Sequence, residues 1–166
     1  METHEEPTIQ QHALNGKAEY EAAINTLLQH TQKKLCIFDF NLEDGGYNSL
    51  QRYELFKNFL LTSRTHRVQI VVHDTDYLTK SCPRLLMLLR QFSHAIEINE
   101  TQLHAKSIYD PFMIADARHY LHRFHHEDGR AVLALHDPVG TGNFILRFEE
   151  IWEASSPAVS ATTLGL

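Results

Sequence analysis

Acidic residues stand at the ends of the first two predicted strands, where a sheet could bind a ligand. Asp39 ends the first strand, His73 and Asp74 end the second, and Asp76 follows shortly afterwards. Open α/β sheets bind ligands at the carboxyl ends of their strands, so these side chains could hold a magnesium ion or a polar ligand. Short acidic side chains also cap loops, and we favour that simpler interpretation. Asp39 and His73 are retained as ligand-binding candidates, and neither a metal nor a cofactor is predicted.

Two arginines form a second candidate site. Arg84 stands at the start of a predicted helix, and Arg123 lies on a predicted hairpin. Together with the free backbone amides of that helix, they could bind a small anionic ligand. Alternatively, each arginine pairs with a buried carboxylate such as Asp116 or Asp39, because an arginine that faces a core needs an acidic or carbonyl partner. Both interpretations remain open.

Four histidines lie close together after the hairpin corner, at positions 119, 122, 125 and 126. His119 and His125 are expected to share one face of a strand. Zinc sites bring ligands from separated elements at characteristic spacings, and no cysteine or His-Glu-x-x-His pattern accompanies this group. We therefore interpret these histidines as partly exposed strand residues that can titrate near neutral pH.

The apolar periodicity predicts the elements that position these residues. It indicates a mixed α/β sheet with helices on both faces, because strands first alternate with helices and then follow one another. Residues 1–16 are predicted to be a flexible arm, 17–154 a single domain and 155–166 a tail. The predicted order is a helix over 17–34, a strand over 35–40, a helix over 49–64, a strand over 68–72, a helix that begins near 83, a strand over 95–99, a hairpin, a strand over 131–135 and a helix over 143–154.

The hairpin is predicted from alternating apolar and polar residues on either side of Asp116. Phe112 and Ile114 lead into the corner, and Tyr120 and His122 follow it. This spacing is typical of two strands joined by a tight turn, with Asp116 at the corner.

Composition narrows the possible functions. The 166 residues are 43% hydrophobic and 22% charged, as in ordinary soluble domains. A formal net charge of -6 disfavours broad binding to nucleic acid, which needs a basic surface. No apolar run is long enough to span a membrane and no signal pattern is present, so we predict a cytoplasmic protein without membrane association. The two cysteines, Cys36 and Cys82, are interpreted as reduced structural residues.

Several of these segments together resemble a known family. They are the order of elements, the apolar helix between Arg84 and Arg90, the strand that leads to Asp116, and the closing helix with Ile151 and Trp152. In combination they are similar to the phospholipase D-like superfamily. More narrowly, they resemble a bacterial branch of unknown function with a single copy of the fold, found alone or behind an acetyltransferase domain. The resemblance covers roughly residues 17–154.

The resemblance implies a signature, His-x-Lys-x4-Asp, in which histidine attacks phosphorus, lysine neutralises phosphoryl oxygens and aspartate orients a histidine. If Asp116 is the aspartate of this signature, Tyr109 takes the histidine position and Pro111 the lysine position. A phenol with a pKa near 10 is a poor nucleophile here, and proline carries no charge. The resemblance then implies a pseudoenzyme, a degenerate and non-catalytic domain that acts as a binding or interaction module.

A rival alignment of the signature keeps the alternative of an enzyme open. His104 and Lys106 read His-x-Lys, but only three residues separate Lys106 from Asp110. On a strand, that difference turns the carboxylate to the opposite face. In this alternative, a dimeric phosphodiesterase or nuclease forms a phosphohistidine with His104, Lys106 and Asp116. The resemblance also implies a homodimer and allows an acetyltransferase partner.

Overall fold

The protein folds as one eight-stranded mixed sheet with helices on both faces, in a computed structural model that describes residues 6–160. This architecture confirms the predicted fold class. The elements are β1 (Gln10–Asn15), α1 (Lys17–His30), β2 (Lys34–Asp39), α2 (Leu50–Thr62), β3 (Arg67–Val72), α3 (Asp76–Ser81), α4 (Pro83–Gln91), β4 (Ile96–Thr101), β5 (Phe112–Ala115), β6 (His119–Arg123), β7 (Arg130–Leu135), α5 (Pro138–Glu153) and β8 (Ser155–Val159). A single 3₁₀ turn, Leu103–Ala105, follows β4.

The sheet order is β1-β7-β6-β5-β2-β3-β4-β8. The central strands β2, β3 and β4 are parallel, and all other pairings are antiparallel. Because β2 pairs antiparallel with β5, and β5 antiparallel with β6, strands β2 and β6 point in the same direction. Their carboxyl ends therefore meet at one edge of the sheet.

Strand β2 contributes to both cores of the molecule. Its side chains alternate across the sheet, so Leu35 and Ile37 pack with α1, α2 and α4 in the larger core. Cys36 and Phe38 point the other way and pack in a smaller core below α5. Burial on both faces explains why this strand is a nearly continuous apolar run.

The predicted hairpin is confirmed as β5 and β6, with Asp116 at its corner. Asp116 and Ala117 have φ angles of 55° and 57°, and the amide of Arg118 donates to the carbonyl of Ala115 at 3.0 Å. Two central residues with positive φ are the pattern of a type I′ turn, which suits the right-handed twist of paired strands.

The predicted boundaries of the arm and the tail are wrong where the structure describes them. Residues 10–15 form the edge strand β1, which pairs with β7, and residues 155–159 form β8, which pairs with β4. Both strands are polar and mostly exposed, so main-chain hydrogen bonds hold them and no apolar pattern marks them. Residues 1–5 and 161–166, the remainder of the predicted arm and tail, lie outside the described residues.

Two helices also differ from the prediction. Helix α5 begins at Pro138 and not near residue 143, because the side chain of Asp137 accepts a hydrogen bond from the amide of Gly140 and proline occupies the first turn. The short helix α3 was not predicted, since six residues are too few to show a helical period.

Both cysteines are buried and unpaired, as predicted. Burial raises the pKa of Cys36 and of Cys82 to about 11, so each is a neutral thiol at physiological pH. Among the helices within residues 6–160, none combines the length and apolar character required to cross a bilayer.

Candidate ligand-binding site

An open cleft of about 430 Å³ lies at the edge where β2 and β6 end. Asp39 is the last residue of β2 and Arg123 the last of β6, so the parallel direction of the two strands brings both side chains to this edge. We call it the acidic cleft. Its lining consists of Asp39, Phe40, Asn41, Glu43, Asp44, Arg123, His126 and Glu127.

Asp39 is the most deeply buried acid of the cleft, with 4% of its surface exposed. Its Oδ1 accepts a hydrogen bond from the amide of Phe40 at 2.8 Å, whereas its Oδ2 has no hydrogen-bond partner among the described residues. Burial raises the pKa of Asp39 to about 7, although the amides of Phe40 and Leu42 and the charge of Arg123 act in the opposite direction. The carboxyl group is therefore close to half-ionised at neutral pH.

Arg123 is held by other partners. Its Nη1 donates to Oδ2 of Asp44 at 2.9 Å, and its Nε donates to the carbonyl of Asp128 at 2.7 Å. The guanidinium also lies over the ring of Tyr20, 5.2 Å from the centroid. Of the two interpretations of this arginine, pairing with an acid is correct, but the acid is Asp44 and neither Asp116 nor Asp39.

Two aromatic rings form one wall of the acidic cleft. The rings of Phe40 and His126 are stacked, with centroids 4.4 Å apart and planes inclined by 9°. The amide of His126 donates to the carbonyl of Tyr109 at 2.8 Å, which fixes the loop after β6. Burial lowers the pKa of His126, so its ring favours the neutral form.

Asp116 lies at the opposite end of the sheet from the acidic cleft. Its carboxylate accepts three backbone hydrogen bonds, from Gln32 at 2.6 Å, Lys33 at 2.7 Å and Lys34 at 2.9 Å. This side chain therefore ties the hairpin corner to the segment that enters β2. Arg123 stands at the far end of β6, so the predicted combination of Asp116 with Arg123 does not occur.

His104 and Lys106 lie at a 3₁₀ turn and not on a strand. The 3₁₀ turn contains His104 and ends just before Lys106, so the two residues lack the alternation of a strand. Lys106 Nζ donates to the backbone carbonyl of His73 at 2.6 Å. His104 is exposed and lines a shallow depression beside α5 together with Arg147.

Both ring nitrogens of His73 form hydrogen bonds with neighbouring residues. Its Nε2 lies 2.7 Å from the carbonyl of Ile108 and its Nδ1 lies 2.6 Å from the hydroxyl of Thr101. A carbonyl only accepts, so Nε2 donates and Nδ1 accepts from the threonine. Asp74 lies in the loop before α3, and its Oδ1 accepts a hydrogen bond from the amide of Asp76 at 2.8 Å. The loop-capping interpretation is therefore correct for Asp74, and His73 has no free nitrogen for a ligand.

A family model described as "Domain of unknown function (DUF7931)" matches residues 16–164. The chain belongs to this DUF7931 family. None of the curated proteins compared with the sequence matches it.

Solved structures show the fold of this DUF7931 protein. TrmBL2, described as an archaeal chromatin protein with a novel mode of DNA binding, is 12% identical with a TM-score of 0.65, over 90% of this chain and 54% of that chain. Nuc from Salmonella typhimurium, a phospholipase D family member, is 11% identical with a TM-score of 0.62, over 92% of this chain and 99% of that chain. NucT from Helicobacter pylori is 13% identical with a TM-score of 0.58, over 91% and 100%.

These likenesses establish a phospholipase D-like fold for the DUF7931 protein and, at such low identity, the fold alone. The chain spans about half the length of TrmBL2, whereas it spans nearly all of Nuc and NucT.

Next to Tyr109, the DUF7931 protein has an ion-pair network that was not predicted from the sequence. Tyr109 is half-exposed, and the next residue, Asp110, accepts two hydrogen bonds from Arg147, each at 2.7 Å. His122 Nε2 lies 2.8 Å from the same carboxylate. Burial alone would raise the pKa of Asp110, but the bonds from Arg147 and His122 lower it below its ordinary value. Arg147 lies on α5, 37 residues from Asp110 in the sequence, so no local pattern predicts this contact.

Arg84 lies in the first turn of α4 and is not among the residues that line the acidic cleft. Its amide donates to Oδ1 of Asn48 at 3.2 Å, and its Nη1 donates to the carbonyl of Asn48 at 2.9 Å. One of the helix amides expected to bind an anion is therefore occupied by Asn48.

The histidine prediction is wrong for His119. This residue is buried and its Nδ1 accepts from the amide of His136 at 2.9 Å. Burial, together with the neighbouring His136 and His30, lowers the pKa of His119 to about 4. His125 lies beyond the end of β6, so it does not share a strand face with His119. Within residues 6–160, no group of three or more histidine, cysteine or acidic side chains is placed to hold a metal ion.

Proposed function

We propose that this DUF7931 protein is a non-catalytic phospholipase D-like domain that acts as a binding or interaction module. The observation that carries the proposal is the placement of Lys106, whose ammonium donates to the backbone carbonyl of His73. A phosphohistidine mechanism needs a nucleophilic imidazole and a cation that reach the same phosphoryl group. Here the cation is bound elsewhere, and the exposed His104 faces the α5 side.

The positions that align with the signature support the same proposal. Tyr109 and Pro111 supply neither a nucleophile of suitable pKa nor a positive charge. Asp116 cannot orient a histidine while its carboxylate accepts from three amides. The nearby Arg147, which could bind a phosphate, is neutralised by Asp110 through two hydrogen bonds.

The class of ligand is narrowed by charge. TrmBL2, whose structure is similar to that of this chain, is described as a chromatin protein that binds DNA. A binding role therefore has a precedent in a protein that contains this fold. The present chain carries a formal net charge of -6, which opposes binding to a polyanion. We propose a cytoplasmic homodimer that binds a small ligand or another protein, with an acetyltransferase as one candidate partner.

The test is turnover of bis(4-nitrophenyl) phosphate by the purified protein, with a commercial phosphodiesterase as the positive control. We expect the wild type, His104→Ala and Lys106→Ala to be equally inactive. Turnover that His104→Ala abolishes, while circular dichroism shows an intact fold, would overturn the proposal in favour of the phosphohistidine enzyme. Light scattering then measures the oligomeric state, since one chain has a mass of 19.2 kDa.

A further inference from the structure

We propose that strand β1 pairs antiparallel with β1 of a second copy of this chain, so that the two sheets join across a two-fold axis. The inference rests on the proposed function, a homodimeric interaction module, and names the surface that binds the second copy. Three features of β1 carry it. The strand forms an unprotected edge of the sheet, its main chain has groups without partners, and its two-fold pairing opposes no acidic or basic side chains of like charge.

The two edges of the sheet differ in their protection against a further strand. Strand β8, at one edge, contains Pro157, and its register with β4 shifts between Ile98 and Asn99. A proline and an irregular register both hinder the addition of a strand. Strand β1, at the other edge, has the sequence QQHALN, without proline, glycine, acid, lysine or arginine, and its register with β7 is continuous. The edge at β1 is therefore the one open to pairing.

The main chain of β1 has hydrogen-bonding groups that face outwards. The amide of Gly16 donates to the carbonyl of Gly129 at 2.9 Å, so the main chain of Gly16 faces β7. Main-chain direction alternates along a strand, so residues 10, 12 and 14 also face β7, and residues 11, 13 and 15 face away from it. The N–H and C=O groups of Gln11 and Ala13 have no hydrogen-bond partner among residues 6–160.

One register uses both of these residues in both copies. When Gln11 lies opposite Ala13 of the second copy, the two residues exchange both of their main-chain hydrogen bonds, and the two-fold axis passes between the two His12 residues. A register centred on Ala13 would instead use Asn15, whose amide already donates to Oε2 of Glu19 at 2.6 Å. A register centred on Gln11 would extend beyond the first residue of β1. The axis is therefore placed at His12.

The side chains of β1 favour a second copy over a foreign peptide. They are exposed on both faces of the strand, except that Leu14 is half-buried, so they form no pocket that could select the side chains of a peptide. A second copy supplies a strand of the same length with the same free main-chain groups. Two-fold pairing is also the commonest symmetry of soluble oligomers, and a strand without acids, lysine or arginine tolerates it well.

The test is a charge exchange at His12, with the mass measured by light scattering at pH 8, where an ordinary histidine is neutral. We expect the wild type to have twice the chain mass of 19.2 kDa. His12→Lys and His12→Glu each place like charges directly opposite one another, so each should raise the dissociation constant several-fold. An equimolar mixture of the two variants should restore the dimer, because lysine then faces glutamate.

Ser156→Lys is the matched control for the charge exchange. It adds the same charge at an exposed position of the other edge strand, β8. Its dissociation constant should equal that of the wild type.

A second variant tests the main-chain hydrogen bonds themselves. Ala13→Pro removes an amide donor that faces outwards, and it keeps the hydrogen bonds between β1 and β7, because a sheet edge tolerates proline where the amide faces away from the sheet. We expect a weaker dimer with the circular dichroism spectrum of the wild type. If Ala13→Pro is poorly folded, the charge exchange at His12 decides alone.

Two results overturn the pairing of β1. One is a wild type that stays monomeric at every soluble concentration. The other is a dimer whose dissociation constant is the same in the wild type, His12→Lys and Ala13→Pro. Weakened single variants whose mixture does not restore the dimer overturn the register centred on His12.

The two proposals fail separately. Turnover of a phosphodiester that depends on His104 overturns the non-catalytic module, whichever surface forms the dimer. A dimer that is insensitive to the β1 variants, in a protein without turnover, overturns the pairing of β1 and leaves the module intact.

Discussion

Arg123 and Asp39 line the same cleft, yet the guanidinium of Arg123 donates its hydrogen bonds to Asp44 and to the carbonyl of Asp128 and none to Asp39. Arg123 lowers the pKa of Asp39 only through its charge, and burial outweighs that effect. Asp39 is therefore a buried acid with a raised pKa, and its Oδ2 has no hydrogen-bond partner among the described residues.

Asp39→Asn is expected to stabilise the protein at pH 8. The unfolded chain releases the proton of Asp39 near pH 4 and the folded chain near pH 7. The folded state therefore binds more protons between these values, and stability falls as the pH rises from 4 to 7. At 1.36 kcal/mol per pKa unit, the largest gain is of the order of 4 kcal/mol at pH 8, and it vanishes below pH 4.

Urea denaturation of both proteins from pH 4 to pH 8 measures this gain. Glu54→Gln is the control, because it removes one charge from an exposed position on α2. Parallel pH profiles of the wild type and Asp39→Asn would contradict the raised pKa of Asp39.

Asp116→Ala is expected to lower the free energy of unfolding by about 2–4 kcal/mol, because three backbone amides lose their acceptor and some are then hydrated by water. Chemical denaturation measures the loss. Asp116 has a φ of 55°, so alanine also adds backbone strain.

Two glycine variants separate the hydrogen bonds from that strain. Asp116→Gly removes the carboxylate without the strain and is expected to remain clearly destabilised. Ala117→Gly, at a φ of 57°, is expected to gain about 0.5–1 kcal/mol. A fully stable Asp116→Gly is inconsistent with a structural role for the carboxylate.

Arg147→Met is expected to destabilise the fold by about 1–2 kcal/mol at pH 7. The substitution removes two charge-assisted hydrogen bonds to Asp110. Because the arginine side chain is 35% exposed, solvent screening keeps the loss of stability at the lower end of the range for such bonds. The folded pKa of Asp110 is depressed, so this stabilisation is present above about pH 4 and is lost as the pH falls through the folded pKa.

Thermal denaturation at pH 7 and at pH 3 measures both parts of this prediction. Arg130→Met is the matched control, because the Arg130 side chain, which pairs with Asp128, is 69% exposed and should contribute little. Equal losses of stability for the two substitutions at pH 7 would show that the Arg147–Asp110 pair contributes no more than the Arg130–Asp128 pair.

His119 is expected to stay neutral down to about pH 5. Burial lowers its pKa to about 4, and His136 and His30 add to the effect. A depressed histidine pKa stabilises the fold above about pH 6.5, and this contribution is lost as the pH falls towards 4. Titration of the ring protons by nuclear magnetic resonance, with free histidine as the reference, measures the value. A midpoint at that of free histidine refutes the prediction.

The local sequence predicted the elements that carry their own periodicity. The sequence predicted the buried strand β2, the amphipathic helices α1 and α2, and the hairpin with its corner at Asp116. Burial of one or both faces of an element produces a regular apolar pattern in its sequence. The edge strands β1 and β8 were missed, since pairing with β7 and β4 stabilises them through backbone atoms that no side-chain pattern reveals.

Some residues of the candidate site were likewise predicted from the sequence, and others were not. Asp39 was singled out from the sequence because it ends a buried strand, and Arg123 because it lies on the predicted hairpin. Their partners were not, since Asp44 lies in the loop after β2 and is 79 residues from Arg123 in sequence. Asp116 shows the converse, because its type suggested chemistry and its three amide contacts show that it holds a turn.

By itself, the sequence determined a mixed α/β sheet and the residues at its strand ends, because side-chain periodicity records which face of each element is buried. Only the tertiary structure decided that Arg123 pairs with Asp44, that Lys106 binds a carbonyl and that Asp39 retains a free oxygen. Hydrogen-bond partners depend on distances between segments far apart in the chain, and no local pattern encodes those distances.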